Sequence, residues 1–144
     1  MLRSLYLGWS ALLFLLILVQ VGFAGYGAFA VGSDVEDGGT VNQDGFEDLF
    51  GLHAGFGFVI LLAGLVFVVL GAAAGIGRWR LGRHGLLFLL LILQALLAGL
   101  GSEVPEIGGF LHAVNALIIF ALAGWIAWSE WRTSRTLGRG VASA

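Results

Sequence analysis

The chain has no cysteine and no lysine, and only 11% of its 144 residues are charged. Without cysteine there is neither a disulfide nor a thiolate metal site. With 59% hydrophobic residues and a mean hydropathy of +0.98, an ordinary soluble domain is excluded. What remains is a set of four apolar stretches, and the few charges are sorted by sign between them.

All seven basic residues are arginine. They fall at the start (Arg3), between the second and third stretches (Arg78, Arg80, Arg83) and in the tail (Arg132, Arg135, Arg139). The acids occupy the other two connections, as Asp34, Glu36, Asp37, Asp44, Glu47 and Asp48 in the first and Glu103 and Glu106 in the third. Only Glu130 breaks the pattern. Since basic residues near helix ends stay on the cytoplasmic side, the reading is an all-α, four-helix transmembrane bundle with both termini cytoplasmic, in the cell membrane. Crossing about 30 Å of hydrocarbon takes roughly 20 residues, and spans near 4–30, 48–76, 84–102 and 107–130 meet or nearly meet that, the third being shortest. All five tryptophans (Trp9, Trp79, Trp125, Trp128, Trp131) lie near the arginine-bearing ends, as an inner-leaflet aromatic belt requires. Ala28-Phe29-Ala30 has the small-x-small look of a signal cleavage site, but the apolar run before it exceeds the usual 7–15 residues or so of a signal core. The first stretch therefore counts as a helix.

The chain, residues 1–144, reads as a single domain made of a duplicated hairpin, with halves of about 1–76 and 77–144. Aligning Gln20 with Gln94 superimposes residues 12–27 on 86–101 with nine identities in sixteen positions. The Leu and Phe matches are what any two membrane helices share. The glutamine and the following Ala-Gly-x-Gly (Ala24, Gly25, Gly27 against Ala98, Gly99, Gly101) are not. Aligning His53 with His112 matches Leu-His-Ala in both second helices and sets Ile60 on Ile119. A hairpin repeated in one orientation implies a pseudo-twofold axis along the membrane normal, which sets the two histidines opposite each other. Counting from Asp48 and Glu106, both lie about 7–9 Å below the acidic edge at about 1.5 Å per residue.

One turn deeper on the same faces are small residues, Gly57 and Ala116, and about three turns deeper are Gly64 and Ala123. Two level, facing imidazoles with small residues beneath them suit a heme with two axial histidines, and ionisable residues in a bilayer are functional by default. The competing reading is that each histidine makes an interhelical hydrogen bond, and that small residues, including Gly51-x-x-x-Gly55 and Gly71-x-x-x-Gly75, serve close packing. Gln20 and Gln94 divide the same way. Each either orients an imidazole through its second nitrogen or contacts the porphyrin edge, or bonds across helices at about 0.6 kcal/mol. Asn115, one turn from His112, carries the same two readings, with Phe56 at its repeat position. His84, beside Arg83 at the opposite end and with no second histidine near it, is a poor ligand. The acidic stretch from Asp34 to Asp48 lacks the ordered spacing of a calcium loop. It reads as a solvated connection, or as a docking surface for a cationic partner.

A glutamine followed by small residues near the outer end of the odd helices, and a histidine followed by a small residue early in the even helices, resembles one half of heme A synthase. The resemblance implies heme held between two histidines in a four-helix unit. The catalytic half of that family carries Glu three residues before its histidine and Arg directly after, where this chain has Phe50 and Ala54. The likeness is therefore to the non-catalytic half, which implies a b-type heme kept for structure or electron transfer. The chain also resembles small uncharacterised four-helix membrane proteins whose fourth helix carries Leu-His-x-x-Asn, here Leu111, His112 and Asn115.

The expectation is thus a membrane protein binding one heme b through His53 and His112, with Gln20, Gln94, Gly57, Ala116 and Asn115 around it, and no enzymatic residue. It would act in electron transfer or heme handling, with a redox partner or a larger membrane complex, and with no nucleic-acid partner. A heme-free structural or assembly subunit, and a quinone or lipid site in the same cavity, are the alternatives.

Overall fold

The computed structural model describes residues 2–142, with side chains from Leu2 to Ser134, so the side chains of Arg135 and Arg139 lie outside the described residues. Four helices, α1 (Leu2–Glu36), α2 (Gln43–Ala73), α3 (Arg78–Glu103) and α4 (Pro105–Ala142), run up and down. Each is long and apolar enough to cross a membrane. They close into a ring in chain order, α1 against α2, α2 against α3, α3 against α4 and α4 against α1, while the backbones of the diagonal pairs stay apart. Short connections make neighbours antiparallel, so the arginines gather at one end of the bundle and most acids at the other.

The helix ends differ from the apolar spans for local reasons. Helical hydrogen bonding continues past the apolar residues, so α1 reaches Glu36 and α2 begins at Gln43, where the Asn42 side chain caps it by accepting from the Gly45 amide at 2.9 Å. The acidic stretch is therefore mostly helix: Asp34 and Glu36 ride on α1 and Asp44, Glu47 and Asp48 on α2, leaving only residues 37–42 as loop. At the far end α2 stops at Ala73, short of residue 76, because Gly75 (φ 62°) and Gly77 (φ 90°) carry the chain through left-handed backbone into α3. Pro105 opens α4, the position where its missing N–H costs nothing.

The core is a seam with alternating spacings of four and three residues. Tyr6, Ser10, Leu13 and Ile17 come from α1; Ile60, Gly64, Phe67 and Gly71 from α2; His84, Leu87 and Leu91 from α3; Ile119, Ala123, Ile126 and Glu130 from α4, all buried. Such spacing gives the shallow crossing of bundle helices. The two halves bury equivalent positions, Leu13 with Leu87, Ile17 with Leu91, Ile60 with Ile119 and Phe67 with Ile126. All of these lie in the arginine half. Toward the acidic end the same faces carry Gln20 and Gln94 one turn on and His53 and His112 two turns on, with Phe56 on α2 and Asn115 on α4 between the histidines and the core.

Glycines serve this packing unevenly. A Cβ at Gly64 would meet Leu91 Cδ1 at 2.6 Å, and one at Gly124 would meet Phe14 at 3.0 Å, so both admit a neighbour's side chain. Gly51 and Gly55 have open space above them, and of the second pair only Gly71 packs between helices, toward Tyr6 and His84, because Gly75 is in the turn. Their spacing matches the motif, but the surface that carries Gly51 and Gly55 has no neighbour.

Candidate cofactor site

Each hairpin ties its glutamine to its histidine by the same two bonds. In the first, Gln20 Nε2 donates to the His53 carbonyl at 2.9 Å and His53 Nδ1 lies 3.3 Å from the Gln20 carbonyl. In the second, Gln94 Nε2 donates to the His112 carbonyl at 3.0 Å and His112 Nδ1 lies 3.2 Å from the Gln94 carbonyl. A carbonyl oxygen only accepts, so Nδ1 carries the proton in both rings. In neutral imidazole that leaves the lone pair on Nε2, the usual preparation of a metal-ligating histidine. The Nδ1 partner is the glutamine backbone rather than its side chain. The side-chain amide instead grips the backbone beneath the imidazole.

The two histidines meet across the diagonal from α2 to α4, with ring centroids 6.1 Å apart and planes inclined at 62°. Two imidazoles trans on one iron, with bonds of about 2 Å and each centroid about 1.1 Å behind its nitrogen, have centroids about 6.3 Å apart. The spacing and the donor set therefore fit a bis-histidine heme. Among the described residues no group of three or more His, Cys, Asp or Glu comes together, so two imidazoles would need a macrocycle to complete an iron's coordination. Both histidines are half-buried, as is Ala116.

The surroundings of the two are unequal. Asn115, buried on α4, donates to Gln94 Oε1 at 2.7 Å and to the Leu90 carbonyl at 3.0 Å. Its repeat counterpart Phe56 cannot donate, and packs edge-on against Phe23 at 5.1 Å. Gln20 Oε1 is left buried without a partner, and Gln20 Nε2 lies 3.5 Å from His53 Nε2. Gly57 faces this glutamine, for a Cβ there would sit 3.4 Å from Gln20 Nε2. Phe50 stacks on Phe46 at 4.5 Å, meets His53 edge-on at 6.2 Å, and leans on Gly27, where a Cβ would stand 3.0 Å from its ring. In the second hairpin Gly101 and Gly108 instead let the α3 and α4 backbones touch. Phe50 and the Gly108 contact were not legible in the repeat because Phe50 aligns with Gly109, one residue from the contact.

The arginine half holds a second polar group. His84, 1% exposed, has Nε2 3.1 Å from the Tyr6 hydroxyl and its ring edge-on to Phe67 at 4.3 Å, and its Nδ1 has no partner. It lies in the core rather than at the rim its neighbour Arg83 suggested, and no other histidine meets it. Glu130, 3% exposed, is ion-paired to Arg80, whose Nε donates to Oε1 at 2.9 Å. The one acid at the arginine end is there to pair with a helix-borne arginine across α3 and α4. The repeat offset, which sets Ser10 on His84 and Gly71 on Glu130, was the available signal that these positions face inward.

Comparison with protein-family models, characterised proteins and solved structures found no match to this chain.

Proposed function

We propose that this chain is a multi-pass protein of the cell membrane, both termini cytoplasmic, that holds one heme b between His53 and His112 near the outer leaflet. It serves electron transfer or heme handling, alone with a redox partner or inside a larger complex. The observation that carries the reading is the imidazole pair across the diagonal, each ring held through Nδ1 so that Nε2 keeps its lone pair, with ring centroids 6.1 Å apart, close to the spacing one iron requires. The arginine distribution supports the topology.

A heme held by His53 and His112 would supply reversible one-electron exchange. The chain's own part is to fix the rings. The Gln20 and Gln94 carbonyls hold the Nδ1 protons, the amides anchor the histidine backbones, and Asn115 anchors Gln94. Phe50 and Ala54 stand where the catalytic half of heme A synthase has Glu and Arg, so heme modification is not expected.

The test is a visible spectrum of the protein purified from heme-replete cells. A low-spin bis-histidine Soret band is expected, lost or turned high-spin in His53→Ala and in His112→Ala. Absence of heme would favour a structural membrane subunit, a reading with an observation behind it: the same Gln–His bonds join α1 to α2 and α3 to α4 without any ligand.

A further inference from the structure

At the arginine end, α1 and α4 leave a groove of about 260 Å³ between them. Leu7, Ser10 and Ala11 form one wall, and Ala127, Trp128 and Trp131 the other. Its lining is mostly apolar, Ser10 and Ser134 being the polar exceptions, and two arginines stand near one end. The Arg132 guanidinium lies 4.7 Å above the Trp128 ring, and Arg3 precedes Leu7 by one turn on the same face of α1. Both arginines are exposed, and among the described residues neither has a carboxylate partner, since Glu130 is taken by Arg80. Trp128 and Trp131 are half-exposed, so the groove opens sideways to whatever surrounds the bundle.

An occupant must therefore be apolar along one part and anionic at one end, and must enter from the side. We propose that this groove is a binding site for an anionic phospholipid, with a stretch of acyl chain between α1 and α4 and the phosphate between Arg3 and Arg132. The charge argument commits to a lipid of negative headgroup. A zwitterionic lipid gains the groove but not the two unpaired cations, and a second copy of this chain would bring the same arginines against them. The inference rests on the topology of the proposed reading, which sets this end in the inner leaflet, and not on heme. Terminus reporters test that topology separately.

Native mass spectrometry of the full chain with phosphatidylglycerol and phosphatidylcholine of identical acyl chains decides it. One phosphatidylglycerol per chain is expected, preferred at low ionic strength by about twenty-five-fold, with roughly fivefold from each arginine near the surface. Arg3→Gln or Arg132→Gln should each lower the preference to about fivefold and the double variant should abolish it. Ala11→Phe, which fills the groove, should weaken both lipids. Arg78→Gln on α3, which does not line the groove, should change nothing. Equal retention of the two lipids, an equal loss in Arg78→Gln, or a lipid-free dimer of the chain would each overturn the proposal.

Discussion

Asn115 donates to Gln94 Oε1 at 2.7 Å, and no residue does the same for Gln20. The two halves are thus alike in how they hold their histidines and unlike in how they hold their glutamines. Asn115→Leu would leave Gln94 Oε1 and the Leu90 carbonyl without this donor. Interhelical bonds of this kind are worth about 0.6 kcal/mol on average and up to about 1.7, so a loss of about 1–2 kcal/mol is expected in detergent unfolding. A loss below the error of the measurement would mean that water replaces the amide.

The Arg80–Glu130 pair should respond asymmetrically. Arg80 is 24% exposed and can turn toward water, whereas Glu130 at 3% cannot. Removing the arginine strands a buried carboxylate, a change that costs about 3–5 kcal/mol when a buried pair is broken. Arg80→Gln should therefore destabilise clearly more than Glu130→Gln, whose amide still accepts from Arg80. Equal effects would show the carboxylate to be hydrated.

His84 separates stability from ligation. Its ring fills a site between Tyr6 and Phe67 in the arginine half, so His84→Ala should cost about 2–5 kcal/mol, as large-to-small core changes do. Any heme spectrum should survive it unchanged in the fraction that folds. A spectral change in His84→Ala, with His53→Ala silent, would move the site to the other end of the bundle.

Why some of this was legible in the sequence and some not follows from what each interaction is made of. Four helices follow from hydropathy, and the His53–His112 encounter follows from one repeat and one axis. The bonds that orient the rings run to backbone carbonyls of Gln20 and Gln94, and a sequence carries no sign of which carbonyl a ring nitrogen will find. Tyr6 and His84 meet across the α1–α3 diagonal, which only the closed ring brings together. Helix ends went astray where glycine backbone at Gly75 and Gly77, rather than hydropathy, decides them.

Gln20→Leu and Gln94→Leu test what the glutamines contribute. Because each Nδ1 proton is held by the main chain, either substitution keeps the imidazole tautomer while removing the clamp on the histidine carbonyl. Heme retention with a shifted midpoint is the expected result in redox titration, together with about 0.6 kcal/mol of lost stability for each interhelical bond removed. The shift should be larger for Gln20→Leu, since Gln20 Nε2 also lies 3.5 Å from His53 Nε2 and the leucine removes a polar group from beside the proposed ligand atom. Gln94→Leu instead leaves Asn115 without one of its two acceptors, so its cost should be weighted toward stability. The opposite ranking, or loss of heme from either variant, would mean that the amides rather than the carbonyls set the rings.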